Sequence, residues 1–183
     1  SPYTCTLPSP FNPADYPSWL APVYTNFRAQ GLSRLLTEKQ RYTYADLVAA
    51  KFSTRAEMAV RVVPELVHMI DNASAEQASE MLLEARQILA AWDGYFEPHS
   101  RGAYLFLHWL LAQDLQDAVA TPLFADAWHW TMAADPEHCM QSLDMPKQLA
   151  SSEAALAALE QAAKLLLAQF GCLDVAWGDA VKI

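Results

Sequence analysis

Ser151-Ser-Glu-Ala-Ala-Leu-Ala-Ala-Leu-Glu-Gln-Ala-Ala-Lys-Leu-Leu-Leu-Ala-Gln-Phe170-Gly171 decides the class of this chain. Leu156, Leu159, Ala163, Leu166 and Leu167 recur at helical spacing. Ser151 or Ser152 suits the N-cap, and Gly171 suits the position just past the end. Working back toward the N-terminus, the same period returns. Met58, Val62, Leu66 and Ile70 lie four apart on one stripe, with Pro64 inside it expected to kink or split the helix. Ser74 with Gln77 reads as a capping box for a helix carrying Met81, Leu82, Ala85, Ile88 and Leu89, which Asp93-Gly94 ends. Ser100 is expected to cap a helix through Leu105, Leu107, His108, Leu111 and Leu115.

Weaker signals fill the rest. Phe27, Leu32, Leu35 and Leu36 suggest a helix after Pro22, and Thr43 caps a short one with Leu47 and Val48 on its buried side. Thr121-Pro122 predicts a short aromatic helix over 123–130, followed by irregular chain over 133–150. Six prolines within residues 1–25 forbid a long helix there, yet Phe11, Tyr16, Trp19 and Leu20 are too apolar for a free linker. Three regions result: an extended Pro-rich arm over 1–25, a helical region over 26–171, and an extended tail over 172–183 leading on into further chain. The fold class is mainly α, an irregular helical array with an extended N-terminal arm and a short C-terminal strand.

The 183 residues are about one domain in length and can bury a sizeable core. Apolar residues make up 53%, too many for a disordered chain, and five glycines are too few for a turn-rich all-β fold. The formal charge is −9, and no two Lys or Arg are adjacent, which argues against nucleic acid as a main partner. No apolar run reaches transmembrane length. The opening Ser-Pro-Tyr and the closing Ala-Val-Lys-Ile both read as cuts inside a longer polypeptide.

Several residue sets invite a chemical reading. The five histidines (His68, His99, His108, His129, His138) show no metal-ligating spacing, so no metal is expected; Cys5, Cys139 and Cys172 show no C-x-x-C. Phe124, Trp128 and Trp130 suit an apolar pocket, although helical aromatics are more often core. Asp93, Glu97, Arg101 and Asp114 suit an acid–base group, although structural ion pairs are commoner, and Arg101 is expected to tie its helix to the preceding loop. Ser1 suits an N-terminal nucleophile using its own amine as base. Pro2 and the arm behind it favour a cut end instead, since such a nucleophile opens a β-strand.

Three blocks carry a resemblance. The first runs from Ser1-Pro2-Tyr3-Thr4 through Phe11-Asn12-Pro13 and Tyr16-Pro17 to Arg28-Ala-Gln-Gly-Leu-Ser-Arg34, with Tyr42-Thr-Tyr-Ala-Asp-Leu-Val-Ala-Ala-Lys-Phe-Ser-Thr-Arg55. The second is Ile88-Leu-Ala-Ala-Trp92-Asp93-Gly94 with Ser100-Arg101-Gly102-Ala103-Tyr-Leu-Phe106. The third runs from Ala155-Leu-Ala-Ala-Leu-Glu-Gln-Ala-Ala through Phe170-Gly171 to Leu173-Asp174-Val175-Ala176-Trp177-Gly178-Asp179. In this order they resemble the C-terminal part of the β-subunit of the penicillin acylase family, nearest the acyl-homoserine lactone and aculeacin A acylases.

The resemblance implies a fragment of a larger α+β N-terminal nucleophile hydrolase, secreted or periplasmic, whose precursor cuts itself into α- and β-chains. The exposed β-chain Ser attacks an acyl-amide carbonyl, and an Asn side chain with a backbone amide holds the oxyanion. Both the nucleophile Ser and that Asn would lie upstream of Ser1, so no catalytic residue is expected in this chain. One site-supporting residue carries over, Arg28, whose rigid guanidinium would help hold the nucleophile and oxyanion region; the plainer alternative is a surface Arg at a helix start. No cofactor is implied. The expected partners are the remainder of the β-chain, the α-chain, and a small acylated substrate. The alternative is a stand-alone helical binding or interaction module. A fragment should expose a large apolar surface, whereas a module should be polar outside one patch.

Overall fold

The 151–171 stretch forms a single helix capped by Ser151, whose Oγ accepts from the Ala154 N–H at 3.2 Å. Gly171 closes it at φ +75°, its N–H donating to the Leu167 carbonyl at 2.9 Å. A computed structural model describes residues 6–20, 23–74, 78–113 and 123–181. Its elements are α1 (Phe27–Thr37), α2 (Tyr44–Lys51), α3 (Glu57–Asp71), α4 (Glu80–Ala91), α5 (Ala103–Leu111), β1 (Phe124–Asp126), α6 (Trp130–Ala134), β2 (Lys147–Leu149), α7 (Ser152–Phe170) and α8 (Trp177–Ala180). Tight 3-10 turns occur at Pro13–Asp15 and Cys139–Asp144, and β1 and β2 make a two-stranded sheet. The chain divides into two units. The first takes residues 1–52 and 124–147, and the second takes 53–123 and 148–183.

The second unit holds most of the core. Along α7, Ala155, Ala158, Leu159, Ala162, Ala163 and Leu166 form the buried stripe, and the alanines let neighbouring helices approach closely. Against it lie α3, α4 and α5. Val62, Leu66 and Ile70 of α3 are buried as their spacing predicted; Met58 is only half-buried. Each fully buried Leu or Val contributes about 1.5–3 kcal/mol relative to exposure. Trp109 of α5 is fully buried, and its Nε1 donates to the Ala155 carbonyl at 3.0 Å, so the deepest aromatic leaves no polar atom unpaired. Pro64 does not split α3, which is one element from Glu57 to Asp71. Pro64 sits on the exposed side, and Val60, whose carbonyl it deprives of a donor, is exposed too, so water can take that bond.

Aromatic contacts tie the chain end onto α5. Phe96 meets Trp177 edge-on at 4.8 Å and Trp92 at 5.4 Å, and Trp92 meets Phe106 at 5.5 Å. The Trp177 N–H donates to the Ser100 carbonyl at 3.0 Å and the Gly178 N–H to the Pro98 carbonyl at 2.8 Å. Gly178 has to be a glycine for this approach, since a Cβ there would sit 3.0 Å from the Pro98 oxygen.

In the first unit, Asn26 caps α1 through the Ala29 N–H, and Thr43 with Asp46 completes a capping box on α2. Ser9 anchors the Pro-rich segment by donating its N–H to the Ala133 carbonyl at 2.8 Å, and Phe11 meets Tyr16 edge-on. Among its described residues this unit buries few apolar side chains: Ala133, Cys139, Leu143 and Met145.

Several expectations need correction. Ser79, not Ser74, caps α4, through the Leu82 N–H; Gln77 lies outside the described residues. Ser100 does not cap α5. Gly102 precedes that helix at φ +98°, while the Ser100 hydroxyl accepts from the Glu97 N–H and turns the loop before it. The helix expected over 123–130 is instead strand β1, with α6 starting only at Trp130. There the Leu123 carbonyl accepts from the Ala150 N–H at 3.0 Å, so pairing with distant chain overrides local propensity. The tail expected to be extended over 172–183 instead forms α8 over Trp177–Ala180, which the contacts to Pro98 and Ser100 hold in place; the strand expected at Ala180-Val-Lys-Ile183 falls largely on residues 182–183, which lie outside the described residues. Leu47 is exposed rather than buried on α2.

Candidate functional site

Helix α1 supplies the strongest site geometry because its two faces differ. Residues advance by roughly 100° around a helix, so i, i+3 and i+4 share a face and i+2 lies opposite. Phe27, Gln30 and Arg34 form the inward face. Phe27 meets Phe124 at 5.9 Å. Gln30 is fully buried, and its Nε2 donates to the Thr25 carbonyl at 2.9 Å and the Met145 carbonyl at 2.7 Å. Arg34 donates to the Leu143 carbonyl at 3.0 Å and pairs with Asp144. These bonds fix the rotation of α1 within its unit.

Arg28, two residues before Gln30, therefore points outward, and its side chain is exposed. Leu32 and Leu36 follow it at intervals of four and are 48% and 44% exposed. The outward stripe is thus a guanidinium at the N-terminal end continued by leucines that the described residues leave uncovered. A cation always charged at working pH, with a planar fork of donors, can hold a carbonyl or carboxylate oxygen presented from outside. Periodicity had flagged Leu32 and Leu36 as apolar without saying what they face. Gln30 carried no sequence signal beyond being a polar residue in an apolar helix.

The other candidate sets come together only in part. Asp93 and Arg101 line one cleft of about 490 Å³ with Trp92, His99 and Asp174, whereas Glu97 does not. Its Oε1 accepts from the Thr54 hydroxyl at 2.6 Å. Arg101 donates to the Asp174 carbonyl at 2.6 Å and pairs with its carboxylate at 2.9 Å. It therefore ties α5 to the segment after α7, not to the preceding loop as expected. Asp93 accepts from the Tyr95 N–H in a local turn. These are structural assignments. Asp114 lies outside the described residues, as do Ser1 and Cys5.

Phe124, Trp128 and Trp130 are each half-buried and so are not part of the core. His68, His99, His129 and His138 are exposed, and His108 is half-buried against Tyr104, where burial lowers its pKa. His138 pairs with Asp135 at 2.7 Å, which holds that carboxyl below its ordinary range. Cys139 and Cys172 are free thiols. Among the described residues no helix is long and apolar enough to cross a membrane.

The geometry describes helices of which α1 turns a cationic–apolar stripe outward. Comparison of the sequence with family models matches residues 4–183, nearly the whole chain, to penicillin amidase. The chain belongs to the penicillin amidase family.

Proposed function

We propose that this chain is a helical segment of an acyl-amide hydrolase whose nucleophilic Ser and oxyanion Asn lie outside these 183 residues. Arg28 supports that centre from the edge of the segment. It orders a carbonyl or carboxylate beside the nucleophile and does not itself take or give a proton. The observation that carries this reading is the outward stripe of α1, in which Arg28 leads Leu32 and Leu36 away from the face pinned by Gln30. Family membership over residues 4–183 supports the reaction class.

In the proposed reaction the Ser hydroxyl attacks the acyl carbonyl with its own α-amine as base, the C–N bond breaks as the departing amine takes up that proton, and water then hydrolyses the resulting acyl-enzyme ester, releasing the acid and restoring the Ser. The resemblance to acyl-homoserine lactone and aculeacin A acylases suggests N-acyl-homoserine lactones, penicillins or lipopeptides as substrates. It also suggests a secreted or periplasmic precursor that cuts itself into α- and β-chains. The partners are then the remainder of the β-chain and the α-chain, and no cofactor is required of this segment. The apolar side chains exposed in the first unit, among them Tyr44 at 85% and Phe52 at 70%, support a segment of a larger protein over a stand-alone module.

The test is hydrolysis of a penicillin and a long-chain N-acyl-homoserine lactone by the parent polypeptide and by the purified 183-residue chain. The parent should turn over at least one of them, and the chain alone neither. Turnover by the chain alone that Ser1→Ala abolishes would overturn the proposal.

A further inference from the structure

A cleft of about 380 Å³ runs between α3 and α4, within the size range of small-ligand sites. All of its lining belongs to the second unit. Val60, Pro64 and Val67 come from α3 and Leu89 and Ala90 from α4, and the loop Trp92-Asp93-Gly94 completes it. That loop is pinned in place. The Gly94 carbonyl accepts from the Ala56 N–H at 2.9 Å, and Trp92 Nε1 donates to the Tyr95 carbonyl at 2.8 Å. Gly94, at φ +81°, comes so close to α3 that a Cβ would sit 3.2 Å from Val60 Cγ2. Asp93, its neighbour in the chain, is thereby held at the Val60 end of the cleft.

The cleft offers hydrogen-bond acceptors without matching donors. Asp93 is the only charged residue among the described residues that line it. Its Oδ1 accepts from the Tyr95 N–H at 3.0 Å, and no cation among the described residues pairs with the carboxylate. Asp93 also borders the cleft of His99 and Arg101, but Arg101 is paired with Asp174. Pro64 has no N–H, so the Val60 carbonyl one turn earlier lacks its helical donor, and both residues line the cleft. The one side-chain donor in the lining, Trp92 Nε1, is already engaged by Tyr95. The surrounding unit carries six basic and fourteen acidic residues, a net charge of −8, which draws cations and repels anions.

We propose that this cleft binds a small organic cation, a primary ammonium carried on a compact apolar body. The ammonium sits at the Asp93 carboxylate and the Val60 carbonyl, and the body lies along the valines, Pro64 and Leu89. An ammonium has three donors and no acceptor, so it can meet both orphan acceptors at once. An anion finds no side-chain donor here, and an apolar molecule without donors leaves both acceptors unmet. The site does not depend on the hydrolase reading, since none of its residues is given a role in that reaction.

Isothermal titration calorimetry of the parent polypeptide with three probes of one length, hexylammonium, hexan-1-ol and hexanoate, tests this. Hexylammonium should bind saturably, and the alcohol and the carboxylate about 10- to 100-fold more weakly, as the loss of a charge-assisted hydrogen bond requires. Asp93→Asn keeps the acceptor for Tyr95 and removes the charge, and should weaken hexylammonium by a similar factor. Ala90→Phe fills the cleft from an exposed position and should abolish binding with the circular dichroism unchanged. No saturable binding of hexylammonium, as when the parent's own chain fills the cleft, would overturn the proposal. So would equal binding of the three probes, or hexylammonium binding that neither substitution alters. The comparison of probes uses the unsubstituted protein, so it decides the matter even if a variant fails to fold.

Discussion

Replacing Glu57 by Ala should destabilise the second unit by about 3 kcal/mol. Glu57 opens α3 and is only 6% exposed. Its Oε1 accepts from Arg61 Nη2 at 3.2 Å, and its Oε2 lies 3.5 Å from Arg55 Nη1. The Arg61 side chain is itself 9% exposed, so the Glu57–Arg61 pair is taken out of water together. Removing one member of a buried pair costs roughly 3–5 kcal/mol, because the surviving charge keeps its desolvation penalty. Losing an acid from the first turn of a helix adds about 0.3–1 kcal/mol. The low end of the combined range applies, since Arg61 has a long stem and can turn its head toward water.

Glu57→Gln keeps the acceptor and the shape, and should lose about half as much. Replacing the pair with apolar side chains of similar size, Glu57→Leu with Arg61→Met, should cost about 1 kcal/mol or less, because neither charge then needs solvation. Urea unfolding followed by far-ultraviolet circular dichroism reads all three. With slopes of about 1–3 kcal/mol per molar urea, the Ala variant should shift the midpoint by roughly 1–3 M at unchanged slope. A Glu57→Ala loss below about 1 kcal/mol, or a double variant as damaged as the single, would refute the buried-pair reasoning.

Two further predictions concern the same unit. Gly102→Ala should cost about 1–3 kcal/mol in the same urea assay, because its φ of +98° disfavours a side chain and an added Cβ would sit 2.9 Å from Trp92 Cβ; a change within about 0.5 kcal/mol, the scatter of surface substitutions, would count against that geometry. Asp71 accepts a fork of hydrogen bonds from Arg86 at 2.9 and 3.1 Å, which holds its carboxyl below the ordinary value. Because the folded value is the lower one, this exposed pair should contribute fully above the unfolded value of about pH 4, and its contribution should fade as pH drops through the folded value. Arg86→Ala should return the Asp71 carboxyl to the ordinary range in an NMR titration.

How much of this was legible in the sequence depended on the range of the interaction concerned. The α3 stripe, the Ser151 and Thr43 caps and the Gly171 stop are local, and spacing alone exposes them. Strand β1 and the turn of α8 depend on chain about 27 to 80 residues away, at Ala150, Pro98 and Ser100, which no local pattern reports. The Arg101–Asp174 pair and the Gln30 bond to Met145 are long-range in the same sense. On α1 the apolar period was readable, but a period states only that one face is apolar. Whether Leu32 and Leu36 were buried or exposed was decided by Gln30, the polar residue that turns the opposite face inward.

The central claim is that the α1 stripe presents Arg28 to the reaction centre of an acyl-amide hydrolase, and steady-state kinetics of Arg28→Ala in the parent polypeptide test it most directly. Removing a group that orders the oxyanion region should lower kcat for the acylated substrate by about 10²-fold with KM changed little, and Arg28→Lys should recover only part of the loss. A kcat within twofold of the unsubstituted parent in both variants would contradict the claim and return Arg28 to the status of an ordinary surface arginine.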